Sequence, residues 1–407
     1  VLMISTTTKI PSKSHSRSLS KPWTGEKLYF KGDDYFKDVL KAIRTAKQSV
    51  DFEVYIYEKG VLADRITEAL RKASSRGVKV RLMVDGVGSP DADADYGQKL
   101  IKGGAEFRIY HRLPSFFMVA TGIFGFLLRK NIMHRLRISW FQVNRRNHRK
   151  LVIVDQQRIW MGGFNVSDHH LESVKGKNAW RDTGLGLSGV KDKAFHLAFE
   201  IAWNERIDRS QWKLARKELI TWLSRRTAKD AVQVNAARRL RHQFHKDLLE
   251  RLRTARKRIW VTTPYFVPTL PVFRALIHAA LRGCDVRLVL PKESDVPMVR
   301  WVSMSFFHSL LKVKCRIFEY QKSILHAKTL VVDDWVLVGS SNFNHRSFLF
   351  DLEVDVVLQR TGSLKILERQ YQTDFQQSRE VVLADVKLRP FWSRFLTWLV
   401  FGLRHWF

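Results

Sequence analysis

His148 and Lys150 stand two positions apart in Asn147-His148-Arg149-Lys150-Leu151-Val152-Ile153-Val154-Asp155, and His326 and Lys328 repeat that spacing in Leu325-His326-Ala327-Lys328-Thr329-Leu330-Val331-Val332-Asp333. Each run continues to a glycine-rich turn ending in Asn, Gly162-Gly163-Phe164-Asn165 in one case and Gly339-Ser340-Ser341-Asn342 in the other. Alternate residues of an extended strand project to one face, so each copy sets an imidazole beside an ammonium. That pair suits a phosphate: the lysine supplies charge, and the histidine supplies a nucleophile or a proton. A single His-x-Lys arises by chance in a chain this rich in both residues, but two copies sharing the strand, the Asp and the Asn do not.

Neither copy is accompanied by a Cys/His cluster or a run of carboxylates suited to Mg2+, so the expected chemistry is phosphoryl transfer without a metal or other cofactor. If the copies face each other about a pseudo-two-fold axis, one imidazole can attack phosphorus in line while the other protonates the leaving oxygen, giving a covalent phosphohistidine. The near-symmetry of the copies leaves the two roles exchangeable. A nucleophilic histidine needs its second ring nitrogen held, usually by a carboxylate. The candidates are Asp182, 34 residues after His148, and Glu353, 27 residues after His326. Asp155 and Asp333 each close an apolar strand and open a turn, which suits either a catalytic role or hydrogen bonding of the turn itself. Asn165 and Asn342 are placed to donate to a phosphate oxygen or to cap their turns, and Ser340 is a further phosphate-binding candidate.

The elements that must position these residues alternate: a helix over 35–48, a strand over 50–57, a helix over 62–75 and a strand over 78–85. This predicts an α/β fold with a largely parallel sheet flanked by helices. The order returns later, Arg44-Thr45-Ala46-Lys47 matching Arg253-Thr254-Ala255-Arg256 at an offset of 209, and Gly77 to Arg81 matching Gly283 to Arg287 at 206. The two histidines are only 178 apart, so the first copy carries about 30 residues, roughly 112–141, that the second lacks. The 407 residues thus divide into a basic disordered tail (1–24), a first repeat (25–210) with its insertion (112–141), a linker (211–235), a second repeat (236–385) and a C-terminal segment (386–407).

With 71 Lys and Arg against 39 Asp and Glu, a formal charge of +32 calls for an anionic partner. The 13 Trp and 26 Phe favour a phospholipid surface over nucleic acid, because mixed basic and aromatic residues suit a membrane interface. The insertion holds an apolar run from Pro114 to Leu128 followed by Arg129, Lys130, Arg135 and Arg137. It falls short of the roughly 20 residues that span a bilayer and is read as an interfacial segment, with a buried core helix as the alternative. Trp392, Arg394, Trp398, Arg404 and Trp406 repeat this chemistry in an amphipathic, membrane-associating C-terminus. No apolar stretch of secretory type is expected within 1–25, and Cys284 and Cys315 are expected to be buried free thiols.

The doubled pattern resembles the phospholipase D superfamily signature: His-x-Lys, four residues, Asp, six residues, then Gly-Ser or Gly-Gly, one residue and Asn. The second copy departs from it by one residue, lost in the turn beginning Asp333-Asp334-Trp335. From about Gly25 to Leu383 the chain is similar to bacterial cardiolipin synthases of the B-type branch, the closer match including Asp85-Gly86-Val87-Gly88-Ser89-Pro90. The resemblance implies two tandem phospholipase D-like repeats, each a mixed sheet flanked by helices, sharing one active site. It implies a phosphatidyltransferase acting through a phosphohistidine, with His148 as nucleophile, His326 as acid and then base, and Asp182 and Glu353 as their partners. Phosphatidylglycerol would be acceptor and donor, with phosphatidylethanolamine as another donor, at the bacterial inner membrane in a peripheral or monotopic mode; an oligomer is compatible. The competing readings are a phosphodiesterase hydrolysing phospholipid or nucleic acid, and a non-catalytic membrane-surface protein, which two complete His-x-Lys pairs argue against. No nucleic-acid partner is expected.

Overall fold

The computed structural model describes residues 21–112, 145–205, 217–223, 225 and 230–387. The insertion beyond Arg112, the C-terminal segment from residue 388 and the N-terminal tail up to residue 20 lie outside the described residues.

Short apolar runs build the sheets. Leu151–Val154 and Thr329–Val332 are buried along their whole length, as strands covered on both faces must be. In the first half the strands are β1 (Gly25–Tyr29), β2 (Ser49–Val54), β3 (Lys79–Asp85), β4 (Glu106–Tyr110), β5 (Leu151–Val154), β6 (Arg158–Gly162) and β7 (Gly184–Ser188), ordered β1-β7-β6-β5-β2-β3-β4. In the second they are β8 (Val232–Val234), β9 (Arg258–Thr262), β10 (Asp285–Pro291), β11 (Arg316–Tyr320), β12 (Thr329–Val332), β13 (Trp335–Gly339), β14 (Val354–Val357) and β15 (Ser378–Val381), ordered β15-β11-β10-β9-β12-β13-β14-β8. The run β7-β6-β5-β2-β3-β4 therefore recurs as β14-β13-β12-β9-β10-β11, the spatial form of the sequence repeat. The insertion falls in sequence between β4 and β5, whereas β11 and β12 are joined by a short connection.

Strand parity divides the core. Val152 and Val154 of β5 face the helices Gly32–Arg44 and Val61–Ser75, while Leu151 and Ile153 face the other half. On β12, Leu330 and Val332 face that half's own helices and Val331 faces inward. The inward faces of both sheets merge into one apolar layer containing Ile153, Met161, Leu185, Val331, Val338 and Val354. Burying one such side chain stabilises by about 1.5–3 kcal/mol, so this shared layer favours the docked arrangement of the halves.

Four expectations change. The sheets are mixed, as the resemblance implies, rather than largely parallel, as the alternation of helix and strand suggests: β2-β3-β4 and β9-β10-β11 pair in parallel, whereas β5-β6-β7 and β12-β13-β14 run antiparallel. The helix expected over 35–48 ends at Arg44, and the N–H groups of Lys47, Gln48 and Ser49 go to the Asp155 carboxylate instead. The tail ends before Trp23, which is buried and donates its indole N–H to Glu26 at 2.7 Å. Residues 232–235, assigned to the linker, belong to the second half, where β8 pairs with β14. Among the described residues no helix is long and apolar enough to cross a membrane.

Candidate active site

Both His-x-Lys pairs lie just before the central strands β5 and β12, and the chain holds them by an exchange between halves. His148 N–H donates to Leu352 O at 3.0 Å, and Leu352 N–H donates to Arg146 O at 2.8 Å. His326 N–H donates to Arg181 O at 2.8 Å, and Arg181 N–H donates to Ile324 O at 2.9 Å. Each histidine backbone is thus bonded to the residue immediately before a carboxylate of the opposite half. The side chains follow: His148 Nδ1 lies 3.0 Å from Glu353 Oε1, and His326 Nδ1 lies 2.6 Å from Asp182 Oδ2. The within-repeat spacing suggested Asp182 for His148 and Glu353 for His326; the structure exchanges them.

Holding Nδ1 against a carboxylate places the ring proton there and leaves Nε2 of each histidine as the outward-facing nitrogen. Lys150 Nζ donates to His148 O at 2.7 Å and sits 5.2 Å from the Tyr55 ring. Lys328 donates to the His326 carbonyl and lies 3.0 and 3.1 Å from the two ring nitrogens.

Two cations and two imidazoles packed together strain their own protonation. Burial, reinforced by the charge of Lys328, pulls Lys150 down to about 7 and burial alone takes Lys328 to about 8. Burial and then the charges of Lys150 and Lys328 push His148 well below the usual imidazole value, and burial with Lys328 lowers His326. The carboxylates differ. Burial opposes ionisation of Asp182, but Lys328 and His326 outweigh it and hold Asp182 at about 2. At Glu353 burial prevails over Lys150, Ser340 and Ser347, and the group rises to about 7. An anion bound among these groups would favour their charged forms, as a phosphodiester would.

Asp155 and Asp333 do not join this cluster. Each sits at positive φ (48° and 51°) at the far end of its strand, about 16 Å of extended chain from the lysine. Asp155 accepts the N–H groups of Lys47, Gln48 and Ser49, and Asp333 those of Arg256, Lys257 and Arg258. They are caps that tie a strand end to the helix-to-strand turn beside it, which favours the turn-bonding reading of these residues over the catalytic one. The Ser340 hydroxyl, expected on a phosphate, instead donates to Glu353 Oε2 at 2.5 Å and accepts Val354 N–H at 3.1 Å, which favours a role in holding the carboxylate. Asn165 Oδ1 accepts Ile56 N–H at 3.2 Å, which leaves its amide NH2 as the group that can face an anion. The Asn342 side-chain oxygen is buried without a protein partner.

Several supporting residues had no signal in the motif. Ser347 donates to Glu353 Oε1 at 2.6 Å, and Asn235 accepts Glu353 N–H while donating to Ser347 O. Gly163 stands where the second half has Ser340, and a Cβ there would overlap the Asp182 carboxylate. The Gly-Gly form of the first turn therefore makes room for Asp182. Behind His148, Arg149 and Glu53 form a fully buried ion pair at 3.1 Å. His170, Asp182 and His326 are the one set among the described residues with metal-ligand types close together, each offering an atom within 4.8 Å of the others. Ligands of a tetrahedral ion at about 2.0–2.1 Å lie more than about 3.2 Å apart, so the 2.6 Å His326–Asp182 contact is a hydrogen bond that an ion would have to break.

Two sheets of matching strand order, with two His-x-Lys pairs meeting at their junction, define a tandem phospholipase D-like enzyme. A family model described as cardiolipin synthase, phospholipase D-like domain, matches residues 39–178 and again 248–378. The chain belongs to this family of phosphatidyltransferases of phospholipid biosynthesis. It is 30% identical over 372 residues to a cardiolipin synthase of Clostridium perfringens, covering 90% of this chain and 74% of that one. It is 30% identical over 370 residues to a cardiolipin synthase of Staphylococcus aureus, covering 91% and 71%. The crystal structure of a phosphatidylserine synthase of Haemophilus influenzae shares the fold at a TM-score of 0.68 and 12% identity, covering 94% of this chain and 95% of that one. Family membership implies a phospholipid substrate.

Proposed function

We propose that this chain makes cardiolipin by moving a phosphatidyl group from one phosphatidylglycerol to a second, with His148 as the nucleophile. The observation that carries this reading is the exchange of carboxylates, which ties each motif histidine to the opposite half and supports one shared site in which the two Nε2 atoms serve the same phosphorus.

The two pairs are not equivalent, and the difference supports separate roles. Burial and two lysine charges keep His148 neutral, as a nucleophile must be, and its side chain is the more open at 11% exposure against 4% for His326. Burial and Lys328 lower His326 in the empty site, but it faces an ionised Asp182 at 2.6 Å, and the negative charge of a bound phosphodiester adds to Asp182 in favouring its protonated form. In the first step the Nε2 lone pair of His148 attacks phosphorus, the bond from phosphorus to the glycerol oxygen breaks, and protonated His326 gives that oxygen its proton. In the second step neutral His326 takes the hydroxyl proton of the incoming phosphatidylglycerol, its oxygen attacks phosphorus, and the phosphorus–nitrogen bond breaks. The sum is two phosphatidylglycerols converted to cardiolipin and glycerol. Lys150, Lys328, Asn165 and Asn342 hold the phosphate oxygens. The +32 charge and the aromatic content support a peripheral or monotopic place on an anionic bacterial inner membrane.

Labelled phosphatidylglycerol in mixed micelles, alone and with phosphatidylethanolamine, tests the reading. Labelled cardiolipin, lost in His148→Ala and in His326→Ala, is the expected product. Release of phosphatidic acid alone, or cleavage of single-stranded DNA with no lipid product, would replace the transferase by a hydrolase.

A further inference from the structure

His170 lies outside both motifs, yet it reaches the centre of the site. It is 1% exposed, its ring is 5.9 Å from that of His326, and one of its nitrogens lies within 4.8 Å of ligand atoms of both Asp182 and His326. Its tautomer follows from its contacts. Nε2 accepts the backbone N–H of Asn165 at 3.2 Å, so Nε2 carries the lone pair and the neutral ring bears its proton on Nδ1. Burial holds the ring neutral, down at about 3, with Asp182 pulling the other way and the charges of His326, Lys328 and His169 adding to the push. That Nδ1–H is buried and has no hydrogen-bond partner. A buried donor left unpaired costs about 1–3 kcal/mol, which calls for an explanation in the working state of the site.

The pseudo-two-fold supplies it. In the second half Asn342 N–H donates to Ser347 Oγ at 3.1 Å, five positions on, as Asn165 N–H donates to His170 Nε2 five positions on. Ser347 then passes a hydrogen bond to Glu353 at 2.6 Å. His170 is thus the counterpart of Ser347, and Asp182 the counterpart of Glu353. In the first half Gly163 stands in the place of Ser340, so the hydroxyl that steadies Glu353 from the turn has no equivalent at Asp182, whose Oδ1 accepts the adjacent Thr183 N–H at 2.7 Å.

We propose that His170 is a positioning residue that donates its Nδ1–H to Asp182 during turnover and thereby sets the angle and proton affinity of His326. This rests on the reading of His326 as the acid–base group. When His326 gives up its proton to the leaving oxygen, Asp182 loses the nearer of its two cationic neighbours, Lys328 remaining, and a second donor keeps the carboxylate in place for the proton's return. The groups facing His326 are Asp182, Lys328, His170, His148, Tyr265 and, further off, Asp295; among the neutral ones His170 is the one whose ring nitrogen lies within 4.8 Å of Asp182, so it can adjust that carboxylate without changing the charge of the site.

The test compares His170→Phe with His170→Gln in the full chain, using phosphatidylglycerol micelles across pH. Phe fills the space without a donor; Gln can accept Asn165 N–H and donate to Asp182. His170→Phe is expected to lower kcat about 10- to 100-fold with KM nearly unchanged, the size of a positioning hydrogen bond of 1.4–2.8 kcal/mol. With less of its charge shared, Asp182 holds the His326 proton more tightly, so the alkaline limb of kcat/KM moves to higher pH, and His170→Gln restores most of both. Overturning results are wild-type kinetics in His170→Phe, or an equal loss in both variants with the alkaline limb unmoved. Failure of the underlying reading looks different: His326→Ala would then stay active.

Discussion

His148 Nδ1 lies 3.0 Å from a carboxylate oxygen of Glu353, 205 positions further along the chain, and the same kind of exchange sets His326 against Asp182 across 144 positions. Neither half contains a complete histidine–carboxylate pair of its own, so the site exists only when the two sheets are docked.

The first prediction concerns these carboxylates. Asp182→Asn and Glu353→Gln preserve shape but no longer fix the ring proton on Nδ1, so Nε2 can carry the proton and lose the lone pair the reaction needs. Each should lower kcat by about 10²- to 10⁴-fold with lipid binding retained. Steady-state kinetics with micellar phosphatidylglycerol checks this; near-normal kcat in either variant would remove the orienting role.

The second concerns the motif aspartates. Asp155→Ala or Asp333→Ala frees three backbone N–H groups at a strand end. Either should destabilise by about 1–3 kcal/mol and lower the melting temperature, while folded enzyme keeps its kcat. A collapse of kcat without a fall in melting temperature would return these residues to the chemistry.

The third is a proton balance. With Lys150 at about 7 and Lys328 at about 8, the empty site at pH 7.5 has released part of two protons. A bound phosphate-like dianion favours both ammonium forms, so the lysine values rise and protons are taken up on binding. Titration calorimetry of vanadate in buffers of different ionisation enthalpy should show net uptake at pH 7.5 that shrinks by pH 6. By the same sign, KM should rise as pH climbs through the lysine values. Proton release on binding would contradict the electrostatic picture.

How much of this was legible in the sequence follows from how local each signal is. A strand's face is set by parity, so His148 with Lys150 and His326 with Lys328 could be read directly, and the repeat offsets pointed to two similar sheets. The carboxylate exchange could not be read, because it arises from backbone bonding between Arg146–His148 and Leu352 and between Ile324–His326 and Arg181, contacts with no local signature. Linear spacing pointed to the wrong partner for each histidine for that reason. Asn235 was hidden likewise: it looks like linker until β8 is seen on the edge of the second sheet. The replacement of Ser340 by Gly163 was visible as a departure from the motif, but its cause, the volume of Asp182, required coordinates.

The most direct test is to locate the covalent intermediate. Enzyme mixed briefly with phosphatidylglycerol labelled in its phosphate, denatured in alkaline detergent and digested, should carry the label on the peptide containing His148, and His148→Ala should carry none. Label on His326 instead, or turnover with no phosphohistidine in any quench, would contradict the account.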